Sequence, residues 1–162
     1  MFRKVTALLV ALVICCTSLG ACSKKPEMMM DEFFEKYIDP SIPIEREYEG
    51  VRFLIEDVTT QGAYIRFENN NKVPVLYSSG FYLFINTDIG YRYIDLKKNV
   101  GFKDGLFEEP RYDYLDFTHW YKSNGLAHGS YRIYCVFVFP EGYKHRYPDN
   151  FVYLYVDFEI SK

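Results

Sequence analysis

The chain is 162 residues long, 49% hydrophobic and 19% aromatic, with 19 basic side chains against 22 acidic ones. An acidic chain without a basic cluster excludes nucleic acid and anionic lipid surfaces as charge-driven partners. This much apolar side chain in a chain of this size builds a hydrophobic core.

Arg3 and Lys4 precede an almost wholly apolar stretch over residues 5–16, then Thr17, Ser18 and Leu19-Gly20-Ala21-Cys22. A positive start, an apolar stretch and a small-residue cleavage site make an export signal. A membrane-spanning helix needs about 20 apolar residues, and this stretch is shorter. An ordinary secretory signal explains the first two features; Leu-Gly-Ala-Cys goes further and resembles the lipobox of bacterial lipoproteins. The resemblance implies a signal peptide over residues 1–21 and diacylglycerol with palmitate at Cys22. It also implies residence at the extracytoplasmic face of the cell membrane. Removal of Arg3 and Lys4 leaves 17 basic against 22 acidic side chains, a net charge of −5. Only Cys22 and Cys135 survive cleavage, so with Cys22 lipidated no internal disulfide forms.

Residues 22–49 are expected to be a tether. Ser23-Lys24-Lys25-Pro26 is polar, as befits a segment leaving a membrane. Residues 31–38 suit one or two helical turns, with Asp31 as cap and Phe33, Phe34 and Tyr37 on one side. Pro40 and Pro43 end the turn. The expectation is a spacer with a short docking helix.

Residues 50–162 change to a period of two. Val51, Phe53 and Ile55 alternate with Arg52, Leu54 and Glu56; Ala63, Ile65 and Phe67 with Tyr64, Arg66 and Glu68; Phe81, Leu83 and Ile85 with Tyr82, Phe84 and Asn86. Ile133, Cys135, Phe137 and Phe139 follow the same rule, as do Val152, Leu154, Val156, Phe158 and Ile160 against Tyr153, Tyr155, Asp157 and Glu159. Alternation marks strands with one face on a core. Turn signals such as Thr60-Gln61-Gly62, Asn69-Asn70-Asn71 and Lys103-Asp104-Gly105 separate them. Seven or eight short strands in about 115 residues predict an all-β, antiparallel β-sandwich.

Phe67-Glu68-Asn69-Asn70-Asn71, Tyr77, Gly80-Phe81-Tyr82-Leu83 and Gly90-Tyr91-Arg92-Tyr93-Ile94 resemble the first half of a bacterial immunoglobulin-like domain of exported Gram-positive proteins. Trp120, Leu126-Ala127-His128-Gly129-Ser130-Tyr131-Arg132-Ile133 and the final strand over residues 153–160 resemble the second half. Tyr91 stands where such domains usually carry tryptophan. The resemblance covers roughly residues 50–160 and implies an immunoglobulin-like sandwich with a non-enzymatic role. Independently of it, Gly129 permits a sharp entry into a strand, and Tyr131 sits where a tyrosine corner bonds back to the chain.

Catalytic constellations are missing. His119, His128 and His145 have no metal-helix spacing, and there is no nucleophile elbow, phosphate loop or dinucleotide fingerprint. Cys135 lies in an apolar strand, the place of a small hydrophobe and not of a nucleophile. Glu108, Glu109, Asp113 and Asp116 lack the spacing of a calcium loop and read as solvated acids of a loop-like region. No enzyme, cofactor or metal site is expected.

Aromatic residues crowd the phase opposite the core. Tyr82, Phe84, Tyr153 and Tyr155 form the candidate binding face, with Tyr134 and Tyr64 on the same phase. Such a face is either a solvated tyrosine surface of cross-strand pairs or a platform for a protein or glycan partner. The favoured function is a non-catalytic binding or adhesion module; the alternative is an inhibitor or regulator of an extracellular enzyme such as a protease, acting through a protruding loop at residues 99–110.

Overall fold

The computed structural model describes residues 27–71, 74–98, 104–107, 109–139 and 151–162. The signal peptide, Cys22 and residues 99–103 and 108 lie outside them, as does His145.

Where apolar side chains alternate, the backbone is extended. Strands β2 (Val51–Glu56) and β3 (Gly62–Asn69) pair antiparallel, with Phe53 opposite Phe67 and Ile55 opposite Ile65. β7 (Arg111–Asp116) adds to the other side of β3, completing a three-stranded sheet. The second sheet is built on β4 (Val75–Thr87), β5 (Gly90–Tyr93), β8 (Gly129–Val138) and β9 (Phe151–Ile160). A two-residue strand β1 (Ile44–Glu45) runs parallel to β9, giving the order β1-β9-β8-β4-β5, and β6 (Asp104–Phe107) pairs with the start of β4. Consecutive β3 and β4 lie in different sheets, as do β7 and β8. The chain therefore crosses between layers, and the fold is an all-β, immunoglobulin-like antiparallel sandwich.

The core fills the space between the sheets. Val51, Phe53, Ala63, Ile65 and Phe67 meet Leu83, Ile133, Cys135, Phe137, Val152 and Leu154, all 2% exposed or less. Each such large aliphatic or aromatic side chain contributes about 1.5–3 kcal/mol by leaving water. Burial pushes the Cys135 thiol well above its ordinary range, so it behaves as a hydrophobe.

The crossing from β7 to β8 contains a feature without a period-two signal, the short helix α2 (Phe117–Trp120). The Asp116 carboxylate accepts from the amides of Thr118 at 2.8 Å and His119 at 3.0 Å. Hydrogen bonds to Thr118 and His119 hold its pKa below the ordinary aspartate range. Beyond the helix, Gly129 opens β8 with φ +156°, a conformation that side chains with a Cβ rarely adopt. The Tyr131 hydroxyl donates to the Ala127 carbonyl at 2.7 Å, the bond of a tyrosine corner.

Three local expectations are corrected. Helix α1 (Met30–Tyr37) lies where the aromatic spacing places it, but its N-cap is Met29, with no side-chain cap, and Asp31 sits inside the first turn. Backbone pairing replaces a cap there: Met29 bridges Arg92, and the Met28 carbonyl accepts from the Tyr93 amide at 2.9 Å. The segment before residue 50 is more than a spacer, since α1 and β1 both pack on the large sheet. Finally, residues read as loop are strand in two places, β6 and β7.

Candidate functional site

A sandwich has two outer faces, and this one treats them differently. On the large sheet, Tyr82, Phe84, Tyr153 and Tyr155 do share one face. β8 lies between their strands and adds Tyr134, which is opposite Tyr82 on one side and Tyr155 on the other. The face is not open, and the expectation of an exposed platform is corrected. Phe84 is 0% exposed, Tyr134 2% and Tyr153 8%.

The cover is helix α1. Phe33 lies within 5.1 Å of Tyr82, 5.4 Å of Phe84 and 4.6 Å of Tyr93, measured between ring centroids. Phe34 meets Tyr134 at 4.9 Å and Tyr153 at 6.5 Å. Ile38 and Ile42 join the same cluster. An eight-residue helix is not stable alone in water, so this apolar face is what holds it. Burial pushes the Tyr93 phenol up to about 12. Where the cover ends, Arg132 lies over the rings of Tyr91 (4.6 Å) and Tyr155 (4.5 Å) and pairs with Asp157 at 2.6 Å, while Arg46 reaches the same Asp157 at 2.5 Å. Phe84 and Tyr153, with Tyr134 and the residues of α1, are thus a second, smaller core, and Tyr82 and Tyr155 are its half-buried margin.

The small sheet has no such cover among the described residues. Its outward positions carry Tyr64, Tyr112 and Tyr114, which are 47%, 57% and 54% exposed. Tyr64 and Tyr114 are cross-strand partners with centroids 5.1 Å apart and planes inclined at 60°. Tyr112 is opposite Arg66, whose guanidinium pairs with Glu56 and Glu68, each at 3.1 Å. A side-chain hydrogen bond to Tyr112, followed by those two acids, raises the Arg66 pKa, so its charge is fixed. Arg52 pairs with Glu68 at 2.5 Å. The result is a row of tyrosines beside an ion ladder without net charge.

Glycine shapes this row. A Cβ on Gly62 would stand 2.2 Å from the Tyr114 hydroxyl oxygen and 2.8 Å from the Leu115 carbonyl oxygen. Only a residue without a side chain lets the Tyr114 ring lie along the neighbouring strand, a ring-over-glycine arrangement that also pins register.

The remaining chemical candidates have structural roles. The Tyr77 hydroxyl donates to Asp113, and Arg111 lies over the Tyr77 ring. Asp116 is the helix cap described above. Among the described residues no cluster of three His, Cys, Asp or Glu side chains is placed to hold a metal ion. A cavity of about 370 Å³ opens between the β4–β5 hairpin and the residues before β8, floored by Ile85, Ile94, Leu126 and Tyr131. Its mouth carries two ion pairs, Lys122 with Asp95 and Arg92 with Glu27.

No family model matches the chain, and no curated protein matches it. Among solved structures, the fn3 (fibronectin type III) domain of the human collagen alpha-1(XX) chain matches at 8% identity and TM-score 0.37, covering 72% of this chain and 83% of that one. A likeness that distant supplies neither a site nor a partner.

Sequence alternation identifies Tyr64 as outward-facing, whereas Tyr112 and Tyr114 escape it. The inward phase of β7 is Arg111, Asp113 and Leu115, so only one apolar residue marks the strand. The available signal is the pair Tyr112 and Tyr114 itself, two strand-favouring aromatics spaced by two.

Proposed function

We propose that this chain is a membrane-anchored extracytoplasmic lipoprotein whose immunoglobulin-like domain is a non-catalytic binding module. Its contact surface is the open tyrosine face of the small sheet. One observation carries this reading: the protein buries one aromatic face under its own helix and leaves Tyr64, Tyr112 and Tyr114 uncovered. Contiguous exposed aromatic area is a mark of interaction sites, and tyrosine and arginine are the residues that interface centres favour. The tilt between Tyr64 and Tyr114, with Arg66 beside them, suits an irregular protein surface better than the flat face of a sugar ring. Within the 99–110 segment, β6 pairs with β4, with Phe107 4% and Leu106 54% exposed. Support therefore goes to the sheet face over a projecting inhibitory loop.

Anchoring and binding are tested separately. Cys22→Ala should leave the precursor uncut or release the protein from the membrane fraction, and unchanged detergent-phase partitioning would contradict the anchor. For binding, Tyr112→Ser with Tyr114→Ser should lower crosslinking to an envelope protein by more than about tenfold, since removing an interface anchor costs about 2 kcal/mol or more. Undiminished crosslinking, or equal retention on a glycan array, would count against a protein-binding tyrosine face.

A further inference from the structure

The strands define two ends. At one lie the finish of β3, the start of β4, the finish of β8 and the start of β9, together with Val51, which is opposite Asn69. At the other lie the β4–β5 hairpin, the start of β8 and the finish of β9. The sandwich proper begins at Val51, at the first end. A chain anchored directly ahead of Val51 would turn that end, with Asn69 and Val138, toward the anchor.

Residues 27–46 prevent this by running back across the large sheet. From Val51 the chain is traced to Tyr48, which exchanges backbone hydrogen bonds with it, and on to Pro43, whose carbonyl accepts from the Tyr153 amide at 2.9 Å. Helix α1 then crosses the aromatic face, and the Met28 carbonyl is fixed to the Tyr93 amide at the hairpin end. Glu27 pairs with Arg92, and Met29 approaches Gly90. Along β8, because β4 bulges between Ser78 and Tyr82, the step from Val138, which is opposite Leu76, to Arg132, which is opposite Phe84, is about 20 Å at 3.3 Å per residue. Four residues lie between Cys22 and Glu27, and the five steps from one to the other reach at most about 18 Å.

The hairpin end also has a surface suited to a bilayer. Ile89, at the tip of the β4–β5 turn, is 78% exposed. Behind it opens the apolar cavity floored by Ile85, Ile94 and Leu126. The nearby charges Arg92 with Glu27 and Lys122 with Asp95 cancel in pairs, leaving the exposed acid Asp88 beside Ile89, so contact needs no anionic lipid.

We infer that the end bearing Ile89 and Arg92 is the membrane-apposed surface of the domain. The partner it fits is the phospholipid bilayer, and the α1 strap sets this pose and turns the end bearing Val51, Asn69 and Val138 outward. The inference rests on the lipid anchor at Cys22 proposed above and goes beyond it in assigning orientation.

The test uses the full protein, extracted from cells and reconstituted in phosphatidylcholine vesicles that carry a nitroxide-headgroup lipid. One fluorophore is attached at Asp88→Cys, beside Ile89, and in a second protein at Asn70→Cys, at the opposite end; Cys135 is buried and stays unlabelled. Flotation is read first. Protein that does not float with vesicles removes the anchor and the pose with it. For floating protein, the Asp88 probe should lose most of its emission and the Asn70 probe nearly none. Releasing the strap with Phe33→Ser and Phe34→Ser should abolish or reverse that contrast. Equal quenching of the two probes in floating protein, or stronger quenching at Asn70, would overturn the orientation while leaving the anchor intact.

Discussion

The two outer faces of the sandwich are both rich in tyrosine, yet one is interior and the other is surface. On the large sheet the rings of Tyr82, Phe84, Tyr134 and Tyr153 meet Phe33 and Phe34 from a helix that lies outside the sandwich in sequence. On the small sheet Tyr64 and Tyr114 meet each other, Tyr114 lies over Gly62, and Tyr112 is opposite Arg66 in the ladder of Arg52, Glu56, Arg66 and Glu68. Residue type and strand phase decide which face a ring occupies. They do not decide whether that face is covered, which depends on a segment packed from elsewhere.

The largest effect is expected at Phe84. Phe84→Ala should cost about 3–5 kcal/mol in a denaturant melt, the range for emptying a buried aromatic site. A loss near zero would mean that α1 does not cover the face in solution. Next in size is Gly62→Ala, which forces Tyr114 and the Leu115 backbone apart. Overpacking of this kind costs about 1–3 kcal/mol, and the nuclear magnetic resonance signals of Tyr114 should shift with it. Unchanged stability and unchanged Tyr114 signals would show that the ring does not lie over the glycine.

Asp116 sharpens the small-sheet side, because it caps the helix that follows β7. Asp116→Ala should cost about 1 kcal/mol at neutral pH. Its pKa is depressed in the folded state by the Thr118 and His119 hydrogen bonds. Its contribution is therefore present above the ordinary aspartate range and lost as pH falls through the lowered value. Melts of the two proteins should converge in acid; a difference that persists there would contradict a charge-based cap. The smallest effect is expected for Tyr112→Ser and Tyr114→Ser taken singly. Tyr112 should shift stability by only about 0.5 kcal/mol, as exposed sites do, with Tyr114 slightly more through its contact with Gly62. A loss comparable with Phe84→Ala would make the open face core after all.

Much of the fold is legible in the residues. Five strands show their core phase because Val, Ile, Leu and Phe recur at every second position, and the corner at Tyr131 is marked by Gly129 two residues before it. The cover is not legible in the same way. Phe33, Phe34 and Tyr37 announce an apolar side for α1, but an eight-residue amphipathic helix carries no record of the surface it lies on. β7 is hidden because Arg111 and Asp113 point toward the core side, where Arg111 sits over Tyr77 and Asp113 accepts its hydroxyl. The first half of β4 is obscured by Ser78 and Gly80, where its register with β8 shifts. For the candidate site this means that Tyr64 is found by phase, and Tyr112 and Tyr114 only by topology.

Chemical nitration of tyrosine in the intact protein, mapped by mass spectrometry, tests the contrast between the faces most directly. Tyr64, Tyr112 and Tyr114, each about half exposed, should be modified early, while Tyr134 and Tyr153 stay protected until the protein unfolds. Early modification of Tyr134 and Tyr153, at rates matching Tyr112, would contradict the covered face and return the large sheet to the surface.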